Sequence, residues 1–157
     1  MTIEPTLAGA LAGCAATAPM TAAMELLHRA LPQHERYPLP PSQITSSVAG
    51  KLGVADEIGG DEHTALTLLA HFGYGAAAGA LYGQVAQRAT AAPAISGMLY
   101  GLGVWGVSYL GLLPAMNILP PATRHPGRRN ALMIASHLVW GASLGLLAAR
   151  LAEPKRA

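Results

Sequence analysis

The sequence of 157 residues is rich in apolar residues and poor in charge, with 52% hydrophobic, 11% charged and 5% aromatic residues. A soluble domain has about 25% charged residues, so ionised groups cannot cover the surface of a soluble globular fold of this composition. A formal net charge of +2 also excludes the strongly basic surface of a nucleic-acid-binding protein. We therefore expect the lipid bilayer, and no nucleic acid, as the partner of this chain.

Four segments contain no Asp, Glu, Lys or Arg, and all ten basic and eight acidic residues lie outside them. Each is long enough to cross about 30 Å of hydrocarbon, which requires roughly 20 mostly apolar residues. None has the polar stripe of a soluble bundle helix. The sequence therefore predicts an all-α fold, an integral membrane four-helix bundle that forms a single transmembrane domain over residues 1–157. Each helix is expected to continue past its uncharged segment, so the predicted spans are about 6–28, 64–87, 93–118 and 130–151.

The connection between the first two predicted spans, about 31–63, is long enough to hold structure of its own. Prolines stiffen its start, and Ser42 is a suitable N-cap for a helix. Three apolar residues then recur on one helical face: Ile44, Val48 and Leu52. We predict a short helix over about 42–53 that lies at the membrane interface.

Glycines recur at four-residue spacing within every predicted span. They are Gly9 and Gly13 in the first span, Gly75, Gly79 and Gly83 in the second, Gly97 and Gly101 in the third, and Gly141 and Gly145 in the fourth. In lipid, where apolar surface does not drive helices together, ridges of small residues let helix backbones approach closely. These glycine ridges predict close packing within the chain. A seam with a second copy, or with another subunit of a membrane complex, is the alternative.

The second and fourth predicted spans repeat one pattern. Residues 70–81 align with residues 136–147 through a histidine, an aromatic residue three positions later, two glycines and a leucine. The first and third spans align more weakly, on two glycine pairs: Gly9/Gly97 and Gly13/Gly101. We predict two helical hairpins that are related by a pseudo-two-fold axis along the membrane normal.

Polar residues within an apolar span are costly and indicate where a membrane protein carries its function. Six residues in or near the ends of the spans form the candidate site: Thr21, Glu25, His28, His71, Asn117 and His137. The first three recur at spacings of four and three, so they share a helical face. Glu25 and the last three lie at a similar depth below one membrane surface. If their faces point inward, these residues form one polar layer.

Three interpretations of this polar layer follow from its chemistry. The first is structural, with each histidine donating to a neighbouring carbonyl or hydroxyl and Glu25 pairing with Arg29 one turn later. In the second, Glu25, His71 and His137 titrate protons or bind a divalent metal, because carboxylate and imidazole are suitable ligands. In the third, His71 and His137 are the axial ligands of a b-type haem inside the bundle. The simplest expectation is that no cofactor is bound.

Motifs of common enzyme classes do not occur in the sequence. It has no nucleophile elbow, no glycine-rich phosphate loop after a strand, no CxxC and no HExxH. We therefore expect that the chain is not an enzyme.

The orientation of the spans follows from the Lys and Arg residues of the connections, which favour the cytoplasmic side. Six of these residues lie at the end of the bundle where the first span stops, and four lie at the other end. The end with six basic residues is therefore predicted to be cytoplasmic.

The order of several landmarks along the chain resembles that of a known family. These landmarks are Ala16-Thr17-Ala18-Pro19-Met20, a Pro-Pro loop followed by Ile44-Thr45, His71-Phe72-Gly73-Tyr74-Gly75, Val104-Trp105, Pro114, Leu119-Pro120-Pro121 and Ser136-His137-Leu138-Val139-Trp140-Gly141. The chain is similar to an uncharacterised family of bacterial multi-pass proteins, the YagU-like inner-membrane proteins. This resemblance implies the bacterial inner membrane and a loose link to acid tolerance, with no reaction, substrate or catalytic residues to transfer. The long Pro-Pro loop with its acidic end departs from the pattern of that family.

These features favour a transport or pH-responsive membrane component that uses the Glu/His polar layer. A structural or assembly subunit of a membrane complex, which contacts its partner through the glycine ridges and the first loop, is the alternative. A bis-histidine haem-binding membrane protein is a further alternative.

Overall fold

The computed structural model describes residues 3–152, and within that range the chain forms helices and connections without β-strands. The five helices are α1 (Pro5–Arg29), α2 (Pro40–Leu52), α3 (Gly60–Ala86), α4 (Pro93–Ala115) and α5 (Gly127–Ala152). All but α2 are long and apolar enough to cross a membrane. The predicted all-α membrane bundle of four spans is confirmed, and the chain is a multi-pass membrane protein.

Helix α3 begins earlier than the hydropathy pattern predicts, at Gly60 instead of about residue 64. The carboxylate of Glu62 accepts the amide hydrogen of Gly59 at 3.0 Å, which caps the first turn. Acidic side chains in a first turn also interact favourably with the helix dipole. The acidic end of the long connection is therefore helical and extends the second span beyond its apolar segment.

The four spanning helices pack in the order α3, α1, α5, α4. Helix α1 packs against α3 and α5, and α5 packs against α1 and α4, while α3 and α4 meet at few points. The pairs α1/α3 and α4/α5 are the two hairpins that the repeat predicts. The separation of α3 from α4 leaves space on that side of the bundle.

Both hairpins are held together by glycines that bring helix backbones into contact. A Cβ atom added at Gly13 would collide with the carbonyl oxygen of Gly75, and one added at Gly97 would collide with that of Gly141. All nine glycines of the predicted ridges meet another helix of the same chain, eight of them through a backbone atom and Gly75 first through the hydroxyl of Thr17. The glycine ridges are therefore used for packing within the chain, where close contact replaces the hydrophobic effect as the source of stability.

The structure shifts the predicted alignment of the first and third spans by one helical turn. Gly13 faces Gly75 in one hairpin and Gly97 faces Gly141 in the other, so Gly13 is the equivalent of Gly97. The predicted pairing of Gly9 with Gly97 is therefore wrong in register. Glycines at every fourth position are compatible with either register, and only the contacts with the partner helix select one.

The two hairpins are alike in how their own two helices pack, but the contacts between the hairpins do not follow the two-fold symmetry. Helices α1 and α5 pack closely, whereas their counterparts α4 and α3 are kept apart. Tyrosines bridge the gap through three hydrogen bonds: Tyr82 to Ser96 Oγ at 2.9 Å, Tyr100 to the carbonyl of Ala78 at 2.7 Å, and Tyr74 to Ser108 Oγ at 2.8 Å. Side chains, instead of backbone contact, therefore connect α3 with α4.

Removing the hydrogen bond between Tyr82 and Ser96 is expected to lower the free energy of unfolding by about 0.6 kcal/mol, the average for side-chain hydrogen bonds between membrane helices. The Ser96 hydroxyl donates to the carbonyl of Pro93 at 3.0 Å, so it accepts from Tyr82, which is buried. A double-mutant cycle of Tyr82→Phe and Ser96→Ala, unfolded in bicelles, measures the coupling energy. A coupling energy of zero would show that this bridge does not stabilise the bundle.

Candidate functional site

A cavity of about 270 Å³ lies inside the bundle, at the end where α1 stops and α3 begins. Apolar side chains such as Met20, Met24, Val104 and Met133 form most of its wall. Polar side chains also reach it, including Thr17, Thr67, His71, Tyr74, Ser108 and His137. The cavity exists because α3 and α4 do not close against each other at this level.

His137 is buried on α5, with 5% of its surface exposed. Its Nδ1 atom lies 2.7 Å from the carbonyl oxygen of Met133. A carbonyl oxygen only accepts hydrogen bonds, so Nδ1 carries the hydrogen and Nε2 of the neutral ring remains an acceptor. The ring also lies edge-on to Tyr109, with centroids 5.9 Å apart and 88° between the ring planes. His137 is therefore held in one orientation, with Nε2 as the acceptor atom of its ring.

His71 on α3 lines the same cavity, and its Nε2 atom is buried without a hydrogen-bond partner in the described part of the chain. Most buried side-chain nitrogens have a partner, so this atom is available to a water molecule or to a polar group of a ligand. The ring contacts Phe72 edge-on, with centroids 6.1 Å apart. The structure thus brings the two predicted histidines together at one cavity, as their similar depth in the sequence indicates.

Helix α4 changes to a π-helix over Val107–Leu112 and returns to an α-helix at Leu113–Ala115. Pro114 accounts for the change, because it has no amide hydrogen to donate and its ring displaces the preceding turn. The wider turn places both Ser108 and Tyr109 in the wall of the cavity. Such turns are frequent at functional sites, and a pattern that assumes 3.6 residues per turn does not reveal them.

Helix α2, the helix predicted within the long connection, covers the open end of the cavity. It packs on α3, where Thr45 Oγ1 lies 3.0 Å from Thr67 Oγ1, and Ile44 forms part of the cavity wall. Val48 and Leu52, which the sequence places on the same face as Ile44, are 37% and 71% exposed. The sequence predicts a helix at the membrane interface. The structure shows in addition that the first half of this helix packs on the bundle.

Glu25 and Thr21 do not take part in the cavity, although the predicted polar layer includes both. The wall on α1 is formed by residues such as Thr17 and Met24, and Glu25, as the next residue, points about 100° away from Met24. The exposed carboxylate of Glu25 lies 3.9 Å from the guanidinium of Arg29. Thr21 donates to the carbonyl of Thr17 in its own helix at 2.8 Å. Both residues satisfy their polar groups on α1 itself.

His28 and Asn117 also lie outside the cavity. Nε2 of His28 donates to the carbonyl of Tyr37 at 2.9 Å and ties the end of α1 to the connection that follows. Asn117 is exposed in the turn after α4 and adopts a φ of 52°, a left-handed conformation that asparagine tolerates better than most residues. Of the six predicted site residues, the structure brings only His71 and His137 to the cavity.

Neither cofactor interpretation fits this cavity. Among residues 3–152, no three His, Cys, Asp or Glu side chains are close enough to bind a metal ion, so Glu25, His71 and His137 do not form the predicted metal site. The propionates of a haem are anionic, and no Lys or Arg of the described chain lines the cavity to pair with them. A volume of about 270 Å³ also lies below the range of roughly 300–1,000 Å³ for pockets that bury drug-sized ligands.

Sequence reasoning missed several residues of the cavity wall. Thr67 and Ser108 are hydroxyl-bearing residues within apolar spans, and that setting is the one signal that could have indicated them. The methionines of the wall, such as Met24 and Met133, are ordinary apolar residues in a span and carry no signal of their own. Their position at the cavity follows only from how the helices pack.

Most residues of this site lie in a segment of the chain that matches a known family. Residues 31–146 match a family model described as a protein of unknown function, DUF1440. The chain belongs to the DUF1440 family. The DUF1440 segment contains α2, α3, α4 and most of α5, and with them both histidines of the cavity, while α1 precedes it. No curated protein and no solved structure matches the chain.

The cavity of this DUF1440 protein offers hydrogen bonds within an otherwise apolar space. Nε2 of His137 is an acceptor atom, Nε2 of His71 has no partner among the described residues, and the hydroxyls of Tyr74 and Ser108 bond to each other at 2.8 Å. No Asp, Glu, Lys or Arg of the described residues lines the wall. This combination suits a small uncharged molecule with one or two polar groups.

Proposed function

We propose that this protein is a binding or transport component of the bacterial inner membrane whose ligand is a small, mostly apolar, uncharged molecule held between His71 and His137. The observation that carries the proposal is the cavity itself, where the buried Nε2 of His71 has no partner within the described residues. Sites for small molecules combine an apolar wall with a few polar groups that orient the ligand. The wall of this cavity has that composition.

Access from the bilayer supports a lipid-soluble ligand. Helices α3 and α4 meet at few points, and both expose apolar side chains outward, for example Leu69 at 71% and Val107 at 69%. The hydrogen bond between Tyr74 and Ser108 joins the two helices at the level of the cavity. Breaking that one bond would widen the cavity between α3 and α4, so ligand entry requires little rearrangement.

The proposal includes an effect of acid pH on ligand binding, because the two polar residues that hold the ligand, His71 and His137, are histidines. A protonated imidazole would place an uncompensated positive charge among apolar side chains within the membrane, which is unfavourable. A protonated imidazole also has no nitrogen that can accept a hydrogen bond from the ligand. Binding of an uncharged ligand is expected to weaken in acid for this reason, and this is the pH-responsive role that we propose. The cytoplasmic position of the end that carries α2 is also proposed, supported by its excess of Lys and Arg.

Analysis of co-purified small molecules tests the binding proposal. The protein is purified in nanodiscs, and its organic extract is compared by mass spectrometry with extracts of Val104→Phe and Val107→Phe. Val104 lines the cavity, so its replacement by a larger side chain fills the space, and we expect a bound compound to decrease about tenfold or more, equivalent to 1.4 kcal/mol in affinity. Val107 lies on the same helix and is 69% exposed, so Val107→Phe should retain the compound.

Two outcomes would contradict this proposal. An extract without any enriched compound, or equal amounts of the compound in wild type and Val104→Phe, would reject a ligand in the cavity. Transport is tested separately in liposomes, by comparing the proton flux of wild type with that of the His71→Ala/His137→Ala double variant after an acid pulse. Equal flux would reject proton transport through the two histidines, and together with an extract without any enriched compound it would favour a structural or assembly subunit instead.

A further inference from the structure

Arg129 is a buried cation that forms no ion pair within the part of the chain that the structure describes. It lies in the first turn of α5 with 9% of its surface exposed, and among the described residues it forms no ion pair within 4 Å. Its guanidinium lies 4.9 Å from the centroid of the Tyr37 ring and donates to Gln43 Oε1 at 2.5 Å. These contacts use one of its five N–H groups and leave the charge unneutralised. A buried charge without a counter-ion is costly.

The surroundings of Arg129 increase this cost. The first turn of α5 contains two arginines, Arg128 and Arg129, and no acidic residue, although the helix dipole favours anions at that end. The nearby carboxylate of Glu35 is paired with Arg128 at 3.4 Å. The hydroxyl of Tyr37, whose ring lies under the guanidinium, is buried without a partner in the described part of the chain. Positive charge and unused donors therefore accumulate here.

Arg129 lines an open groove of about 500 Å³ between α2 and the start of α5. Ser42, Gln43, Ser46 and His125 line the same groove. Helix α2 begins with two prolines, which have no amide hydrogen, so Ser42 supplies the first amide hydrogen of that helix as well as a hydroxyl. Burial lowers the pKa of His125, and the charge of Arg129 lowers it further, so Arg129 is the residue of this groove that is positively charged at neutral pH.

We propose that this groove binds a phosphate group, supplied by the headgroup of an anionic phospholipid or by a free phosphate ion. The planar guanidinium of Arg129 matches two phosphate oxygens at once, and the hydroxyl and amide of Ser42 are donors for a third. The groove lies beside the start of α5, a helix that is long and apolar enough to cross a membrane, and the ends of such helices lie near the polar headgroup region. The site is separate from the cavity and does not depend on the function proposed for it.

Thermal unfolding of the delipidated full-length protein in a neutral detergent tests this site. Unfolding is followed by intrinsic fluorescence while dihexanoyl phosphatidylglycerol is added in one arm and sodium phosphate in the other, each against sodium chloride of equal ionic strength. We expect the unfolding temperature to rise in at least one arm. In Arg129→Gln the half-saturating concentration should increase about tenfold or more, because a charged hydrogen-bond donor is lost. Arg124→Gln, an exposed arginine at the same end outside the groove, should respond as wild type.

The two arms identify the source of the phosphate group. Stabilisation by the lipid alone assigns the groove to a headgroup, and stabilisation by sodium phosphate at similar concentrations assigns it to the free ion. No stabilisation in either arm, or an equal response of Arg129→Gln and wild type, would overturn the proposal. If Arg129→Gln does not fold, Ser42→Leu keeps the arginine and fills the groove. An unchanged response of Ser42→Leu would overturn the proposal in the same way.

Discussion

Gly79→Val is expected to lower the free energy of unfolding by about 3 kcal/mol or more, because it forces α1 and α3 apart. A Cβ atom at Gly79 would collide with the carbonyl oxygen of Gly9 and lie 2.7 Å from the Cα atom of Gly13. Both atoms belong to a helix backbone and cannot rotate aside as a flexible side chain would. Membrane helices that pack on glycine ridges are stabilised by this close contact, so the loss extends along the whole seam between α1 and α3.

Gly103→Val is the matched control for this substitution, because among the described residues no atom of another helix lies within 4 Å of a Cβ atom built at Gly103. Valine has a slightly better helix propensity than glycine, and a substitution on an open surface usually changes stability by about 0.5 kcal/mol or less. Steric trapping in bicelles measures the free energy of unfolding for both variants. Equal destabilisation by the two substitutions would contradict close backbone contact between α1 and α3.

Leu144→Ala is expected to lower the free energy of unfolding by about 2 kcal/mol, at the lower end of the range for buried leucines. Leu144 is fully buried and packs in one cluster with residues such as Ala12, Ala16 and Trp140. Lipid is as apolar as leucine, so little transfer free energy is lost when the side chain is shortened. The remaining cost is the cavity that rigid helices leave around the missing atoms.

Leu147→Ala provides the comparison, since Leu147 is on the same helix and 38% exposed. Lipid chains fill the space left by a shortened side chain at an open position, so we expect a change of about 0.5 kcal/mol or less. Unfolding of both variants in the same bicelles gives the difference. A loss for Leu147→Ala as large as that for Leu144→Ala would mean that α5 is not packed as the structure has it.

The candidate site could be predicted only in part, for a reason that Glu25 and Met24 illustrate. The sequence places Thr21, Glu25 and His28 on one helical face, and that much is geometry within α1. Which face of α1 meets the cavity depends on α3 and α5, and Met24 lies on it while Glu25, one residue later, points away. The position of a residue within its helix determines how deep its side chain lies in the membrane, whereas the packing of the helices determines in which direction it points.

The two histidines were predictable because the repeat and the depth argument both concern positions along a helix. The π-helical turn over Val107–Leu112 was missed because it breaks the period of 3.6 residues per turn that a helical pattern assumes. The position of α2 over the cavity was not predictable, since it depends on contacts between distant segments. The same holds for Arg129, which reads as an ordinary basic residue of a membrane-flanking loop. Its burial against Tyr37 and Gln43 joins three separate parts of the chain.

The sequence by itself determined the four spans, the all-helical fold and the use of glycine for close packing. Those properties are local, because about 20 consecutive apolar residues must cross the hydrocarbon and each helix satisfies its own backbone hydrogen bonds. Only the tertiary structure decided the register of Gly13 against Gly75, the gap between α3 and α4, and the cavity that this gap leaves. Small residues at every fourth position permit several registers of similar contact, and the choice among them belongs to the bundle as a whole.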